Sequence, residues 1–508
     1  MSDAAVAGLL RSDAPLVVIE AAAGCGKTYQ GAAYAQDVVG TLGEGRLLIL
    51  THTHAACDVF ADRTRGARSR VEIKTIDALI MQIATAYHLP LELPRDLGTW
   101  AWQDNGRGFE LMAAKAAVLL RCQPMIARAL ARRYPVIICD EHQDCTLDRH
   151  AIVMALHDAG AALRIFGDPM QRIFGEKTEK AARTDRERWN ALKASGASDK
   201  LETPHRWDDG CPLLGDWIQR ARSSLNNGKP IDLGAPRPRS VRVVIANNVA
   251  QARTGYQLSG PHRAPIDRLV READQLMVLA SQNDLDAALC AFWNRRIPIW
   301  EGHTRDALAS LTGVLRSQEG KAEALAAGMV DFVNAVAIGF GKAQRDRLVE
   351  EVRRRAARPT TGAPANLQAV ARCLLDDPTH RGVASALTVL KAFVDAKAPG
   401  FDKVRIDFRR EFNEATRFGL YPNADSAFAE IARRRSYARL SLPDQVLSSI
   451  HKAKGLECDH VLLMACDTSQ FSRTLYARSK LYVALSRAKK SLTLVVPDTN
   501  PSALFKLP

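Results

Sequence analysis

The chain has 508 residues, of which 47% are apolar and 25% charged, with a formal net charge of +14 and an isoelectric point near 9.4. Its length suits about three or four structural units, and its basicity points to a polyanionic partner, most simply nucleic acid, with a basic bias of the source proteome as the plainer alternative. There is no signal-peptide-like start and no long uncharged apolar run, so the sequence predicts a cytoplasmic protein that does not engage membranes. Ten cysteines without a Cys-x-x-Cys pair argue against a structural zinc site and for reduced thiols.

The apolar run Leu16–Ile19 predicts a buried strand, and residues 29–38 after it predict a helix. Between them lies Ala21-Ala-Ala-Gly-Cys-Gly-Lys-Thr28, which has the residues and the strand–loop–helix setting of a phosphate-binding P-loop. Backbone N–H groups of Ala23, Gly24, Cys25 and Gly26 are positioned to cradle phosphate oxygens at a helix N-terminus. Lys27 is expected to hold the β- and γ-phosphates of ATP, and Thr28 to ligate Mg²⁺. Strands are predicted at 47–50 and 72–74, followed by a helical insertion over 78–133. Val136–Cys139 then reads as a buried parallel strand ending in Asp140-Glu-His-Gln-Asp144. Asp140 is expected in the Mg²⁺ shell, and Glu141 as the group that orients and activates the attacking water. An acidic turn after a core strand is common, but together with the P-loop it points to triphosphate hydrolysis.

A strand at 163–166 completes the first series, and a second series is predicted at 241–246, 276–280, 446–450, 461–466 and 492–496. The alanine-rich stretch from 303 to 440 interrupts that second series and reads as helical. The fold expected is α/β, two parallel-sheet P-loop domains that each carry a mainly helical insertion. The first would comprise 1–77 and 134–200 around the insertion 78–133, and the second 201–302 and 441–508 around the insertion 303–440.

Further motifs stand in order along the chain: Thr51-His-Thr-His-Ala-Ala56, Thr75-Ile-Asp77, Gly167-Asp-Pro-Met-Gln-Arg-Ile-Phe-Gly175, Thr203-Pro-His-Arg-Trp207, His451-Lys-Ala-Lys-Gly-Leu-Glu457 and Tyr482-Val-Ala-Leu-Ser-Arg-Ala-Lys489. From the P-loop to residue 489 this ordered set resembles superfamily 1A DNA helicases of the UvrD/Rep family. Their two RecA-like domains hold ATP in the cleft between them. The resemblance implies that Gln171 senses the γ-phosphate, that Arg206 and Arg487 reach it from the second domain, and that Glu457 lies near the ribose. His205 stands where the family stacks a tyrosine on the base. It also implies DNA contacts at His52, Thr53, His54, Thr75 and His451, with Arg63, Arg65 and Arg68 on the face that carries DNA.

Four features depart from the family pattern. Met1–Asp13 holds no clear adenine-reading glutamine motif, and His205 replaces the base-stacking tyrosine. His52 replaces a phenylalanine, and Glu176-Lys177 replaces a Trp-Arg stacking platform. The resemblance implies an ATP- and Mg²⁺-dependent translocase or helicase on single-stranded or partly duplex DNA, moving 3′ to 5′. The small insertions and missing aromatics leave a second reading open: a DNA-stimulated ATPase that regulates a partner nuclease without processive unwinding. The compact layout is similar to helicase-like subunits of Gabija-type anti-phage operons. Trp189, Trp207, Trp217 and Trp293 are expected in the core, and Trp100 and Trp102 nearer the surface.

Overall fold

A computed structural model describes residues 3–67, 69–246, 258–281, 283–302, 305–358, 360–438 and 441–508. The chain divides into two compact units, one formed by Met1–Tyr87, Met112–Trp300 and Arg439–Pro508, the other by His88–Leu111 and Glu301–Ala438.

The larger unit contains two parallel sheets. The first consists of β1 (Leu16–Ala21), β2 (Leu47–Thr51), β3 (Val71–Thr75), β4 (Val136–Cys139), β5 (Ala162–Gly167) and β6 (Ala197–Leu201), in the order β3-β2-β4-β5-β1-β6. All five strand pairings are parallel. β1, β2 and β4 are buried along their whole length, which explains their unbroken apolar sequences: helices cover both faces of such a sheet. Sequence patterning missed β6. Its Ala-Ser-Asp-Lys-Leu has no apolar run because it is an edge strand, paired only to β1 and alternating in exposure.

The second sheet has the order β9-β8-β10-β11-β7, with β7 (Val241–Ala246), β8 (Leu276–Ala280), β9 (Gln445–Ser449), β10 (Cys458–Leu463) and β11 (Ala488–Pro497), again all parallel. The strands expected at 446–450 and 461–466 are displaced to 445–449 and 458–463. Ile450 opens a helix, and Met464–Cys466 stay buried beyond the end of the strand, so an apolar run overshoots the hydrogen-bonded ladder. The two sheets are α/β layers of the expected class. Trp189, Trp207, Trp217 and Trp293 are all buried.

The smaller unit is mainly helical, with long helices at Asp306–Ser317, Ala322–Val336, Lys342–Arg353, Ala363–Asp376, His380–Asp395 and Ala424–Tyr437. Leu311, Phe332, Leu348, Val370, Leu387 and Phe412 meet in one core. A two-residue antiparallel pairing joins Ala337–Ile338 to Arg405–Ile406. Trp102 belongs to this unit and is no open stacking surface: the Arg305 guanidinium lies 4.5 Å from its ring centroid and the Phe109 ring meets it edge-on at 4.7 Å. Arg435, wholly buried, sits 2.6 Å from Glu414.

Candidate active site and nucleic-acid interface

The loops at the carboxyl edge of the first sheet carry most of the predicted residues, as open α/β sheets favour. β1 runs into the P-loop. Gly24 and Gly26 have φ of +74° and +81°, left-handed values that favour glycine. Gly24 is constrained twice over, since a Cβ there would meet the Arg206 Cβ at 2.7 Å and the Trp207 ring at 2.9 Å. Gly26 precedes the helix Lys27–Val38, whose N-terminus has no side-chain cap, the arrangement that anion sites at helix N-termini use. The loop is gripped from two later segments. The Arg206 N–H donates to the Gly24 carbonyl (3.1 Å), and the Ala23 N–H donates to the Tyr482 hydroxyl (2.8 Å).

β4 delivers Asp140 and Glu141 beside this loop. Glu141 adopts a left-handed backbone (φ +53°), its N–H donates to Asp140 Oδ1 (3.0 Å), and its carboxylate lies 3.0 Å from Lys27 Nζ. Burial opposes all three charges. For Glu141 the opposition is overcome by Lys27, Lys454 and the Gln143 amide, which hold its carboxyl well below the usual range. Asp140 is pushed up to about 7 by burial and by the neighbouring Glu141 charge. Burial would lower the Lys27 ammonium, but Glu141 and Asp140 outweigh it and raise it. The result is one ammonium shared by two carboxyls of unequal character. His142 belongs to the layer behind, with Nε2 2.9 Å from His150 Nδ1.

β5 ends at the motif holding Gln171. Its side-chain amide donates to Asp168 Oδ2 (3.1 Å), and its carbonyl accepts from Lys454 Nζ (2.8 Å), while Lys454 also pairs with Asp144. Asp168 is held in turn by Arg222, 2.7 Å away, and its N–H donates to the Gln143 side chain (2.9 Å). Arg222 also reaches Glu20 in β1 (3.1 Å), which Lys193 neutralises at 3.0 Å. Burial would raise the Glu20 carboxyl, but these two cations bring it down to about 2. Glu141, Gln143, Asp168 and Gln171 thus form one hydrogen-bonded chain, which passes through the Asp168 backbone N–H between Gln143 and the Asp168 carboxylate.

Arg206 meets the same loop, and Arg487 lies behind it in the second sheet's domain. Arg206 Nη1 donates to the Ser486 carbonyl (2.6 Å) and Nη2 pairs with Glu457. Arg487 is buried, with its fork on the carbonyls of Val483 (2.9 Å) and Leu456 (3.0 Å) and on the Ser486 hydroxyl (2.7 Å). Burial and the adjacent Arg206 lower it to about 10, so it stays cationic at neutral pH. Leu456, Glu457 and Arg487 stand where β10 and β11 begin, at the amino edge of the second sheet. His205 pairs with Asp208 (2.9 Å) and with Asp3 of the first helix; these hydrogen bonds raise its pKa.

The residues expected at DNA are spread more widely. Thr53 and Thr75 are helix N-caps, accepting from Ala56 N–H (3.2 Å) and Ala78 N–H (3.1 Å). His52 is half-buried with its Nε2 3.5 Å from the Cys145 thiol, and burial lowers its pKa. His54 opens the helix His54–Arg63 and is also half-buried. Arg63 is exposed with its guanidinium 5.9 Å from the Tyr29 ring, and Arg65 pairs with Asp62 at 2.9 Å. Arg68 lies outside the described residues. His451 follows β9 and bonds the Tyr476 hydroxyl at 2.6 Å.

Sequence reasoning missed Arg222 and Glu20 as supports of Gln171, Tyr482 as a P-loop partner, and Phe174, an exposed aromatic beside His451 and Lys454. Phe174 lies inside the motif at 167–175 and could have been found there. A single acid within the apolar run of β1 was the signal for Glu20.

Comparison with known families agrees with this geometry at both ends of the chain. The UvrD-like helicase C-terminal domain matches residues 445–495, which span His451, Glu457, Tyr482 and Arg487. An AAA domain matches residues 3–176, from the first helix through the P-loop, Asp140 and Glu141 to Gln171. No curated protein matches the chain.

Proposed function

The chain is a UvrD/Rep-like superfamily 1A helicase, an ATP-hydrolysing enzyme that acts on DNA, and we propose that it steps 3′ to 5′ along single-stranded DNA by closing and opening the two sheets around ATP. The observation that carries this reading is the convergence on the P-loop. Arg206, Trp207 and Tyr482 touch Gly24 and Ala23, while Glu457 and Arg487 stand at the facing edge of the second sheet.

A γ-phosphate arriving at Gly26 and Lys27 competes with Glu141 for the Lys27 ammonium. Release of Glu141 from that pair frees a carboxylate, ionised at neutral pH, to orient and deprotonate water. Charge that develops on the γ-phosphate oxygens is met by Lys27, Arg206 and Arg487, whose planar forks suit phosphate. Gln171 senses the same oxygens. Asp168 and Lys454 pass its position to the loops that hold His451.

The donor set suits Mg²⁺. Among the described residues no group of three or more His, Cys, Asp or Glu is arranged around a metal, and Mg²⁺ ordinarily takes one or two carboxylates plus phosphates and water. Thr28 and Asp140 would hold it, and it would supply charge neutralisation on the phosphates. A buried Asp140 raised to about 7 is a carboxyl that a dication would stabilise in its ionised form.

No helix among the described residues is long and apolar enough to cross a membrane. The second reading, a DNA-stimulated ATPase that switches a partner nuclease, is favoured by Glu176-Lys177 in place of aromatic stacking residues. Strand displacement by the purified chain, on duplexes with a 3′ or a 5′ single-stranded tail, separates the two. Unwinding from the 3′ tail alone is the result expected; strong DNA-stimulated ATP turnover without displacement would favour the switch.

Because His52 faces Cys145 and Glu176 replaces an aromatic, grip on DNA should be mainly electrostatic. Counterion release then gives a log–log slope of about −0.7 per phosphate neutralised on a single strand. A salt titration of oligonucleotide affinity measures it. Affinity indifferent to salt, or none at low salt, would remove the translocase and leave an ATPase directed at protein.

A further inference from the structure

At the carboxyl edge of the second sheet, away from Glu457 and Arg487, lies a buried cation that has no counter-ion among the described residues. β8 and β9 are neighbours with Ala280 opposite Ser449, so Ser281 and His451 leave the sheet side by side. Lys480, on the helix Leu475–Leu485, runs beneath them. It is only 7% exposed, and its Nζ donates to the Ser281 hydroxyl at 2.8 Å. Its ammonium also lies 5.2 Å from the Phe471 ring centroid and 5.9 Å from that of Tyr476, while the Ser281 hydroxyl donates onward to the Gln470 carbonyl at 3.3 Å. Among the described residues no carboxylate lies within ion-pair distance of it.

The surroundings add positive charge. Burial and Lys177 together bring Lys480 down to about 8. His451, stacked on Tyr476, is held near 4 by burial, with Lys177, Lys480 and Lys454 adding to the effect. Lys177 is exposed. A hydroxyl, a phenol, an imidazole and one buried ammonium therefore share one place, with the charge of Lys177 acting on it from the exposed side, and an unpaired buried ammonium is costly to a fold that gains nothing from it. Its burial against neutral hydroxyls and rings is what a receptor for an anion requires.

We propose that Lys480, with Ser281, Tyr476, His451 and Lys177, forms a phosphate subsite that takes a backbone phosphodiester of the single strand. The inference rests on the translocase reading, in which the second sheet needs its own hold on the strand. It also suits a chain in which Glu176-Lys177 stands where a stacking platform is expected: a desolvated lysine binds phosphate more strongly than an exposed one, since water competes less for it.

The test uses Lys480→Met, Lys480→Arg and Lys177→Ala in the full chain, with an oligothymidylate strand as probe. A phosphate receptor predicts opposite signs for two measurements on Lys480→Met. Its Tm should equal or exceed that of wild type, because an uncompensated buried charge has been replaced by an apolar side chain of similar length. Its affinity for the strand at low salt should fall about tenfold or more, the usual worth of a charged hydrogen bond. The salt slope should become shallower by about 0.7 for the lost phosphate. Lys480→Arg should keep the wild-type slope, and the exposed Lys177→Ala should lower the slope without altering Tm. Wild-type affinity and slope in both Lys480→Met and Lys177→Ala would overturn the subsite. Should Lys480→Met unfold, an unchanged slope in Lys177→Ala would overturn it alone. A wild-type chain that does not bind the strand would instead defeat the translocase reading on which the subsite rests.

Discussion

Lys27→Ala should abolish ATP hydrolysis, and Glu141→Gln should retain nucleotide binding while stopping turnover and holding the closed state. The two variants should differ in a second respect. Lys27 Nζ is 3.0 Å from Glu141 and also offsets Asp140 and Asp168. Its removal leaves two adjacent carboxyls without their cation. Breaking a buried ion pair from one side costs about 3–5 kcal/mol; the side chains here are 10% and 28% exposed, so the lower end of that range is expected. Glu141→Gln keeps the shape and the Gln143 contact, leaves Lys27 to Asp140, and should change stability little. Loss of a general base slows the chemical step by about 10²–10⁴-fold. Steady-state turnover, binding of a fluorescent ATP analogue and a denaturant titration would measure the three effects. Robust hydrolysis by Glu141→Gln would remove Glu141 from the chemistry and shift the role to a neighbouring carboxylate such as Asp140.

What was legible in the sequence was what the chain keeps local. The P-loop and Asp140-Glu141 each occupy a few consecutive residues after an apolar strand, so motif and context are read together. β6 was not legible, because an edge strand with one neighbour needs no apolar run. The supports of Gln171 were invisible for another reason. Arg222 meets Asp168 and Glu20 across separations of 54 and 202 positions, and nothing local marks an arginine in a helix as the partner of either. Lys480 is hidden in the same way: its helix is buried along nearly its whole length, so helical periodicity gives no hint that one lysine lies under Ser281. His52 shows the reverse. Its position in a family-like motif suggested an outward-facing contact, whereas packing places its ring against Cys145.

These supports also give the proposed translocase a physical link between hydrolysis and the strand. Glu141 and Gln171 are not independent groups attached to separate loops. Gln143 bonds both Glu141 and the backbone of Asp168, Asp168 holds Gln171, and Lys454 ties the Gln171 carbonyl and Asp144 to the segment that begins at His451. A change in charge at Lys27–Glu141 is therefore mechanically connected, through side chains in contact, to residues at the carboxyl edge of the second sheet.

Arg206→Ala and Arg487→Ala should each lower kcat by about 10³-fold or more if both serve as arginine fingers. Their surroundings predict different secondary effects. The Arg206 head group pairs with Glu457, donates to the Ser486 carbonyl and lies 5.5 Å from the Trp207 ring centroid, so its loss should cost the fold little and weaken closure of the second sheet onto ATP. Arg487 donates to two carbonyls and a hydroxyl inside its own domain; in Arg487→Ala the Ser486 hydroxyl still donates to the Val483 carbonyl, but the Leu456 carbonyl loses its side-chain donor. Each unsatisfied buried group costs about 1–3 kcal/mol, so Arg487→Ala should lose stability as well as rate. Arg487→Lys should restore part of the stability and little of the rate, because a point charge lacks the planar fork. Single-turnover hydrolysis with saturating DNA separates rate from stability, and a denaturant titration on the same samples reports the latter. If both alanine variants hydrolyse ATP at the wild-type rate in the presence of DNA, the γ-phosphate is not met from the second sheet. Closure around the nucleotide would then be the wrong account of how this enzyme moves.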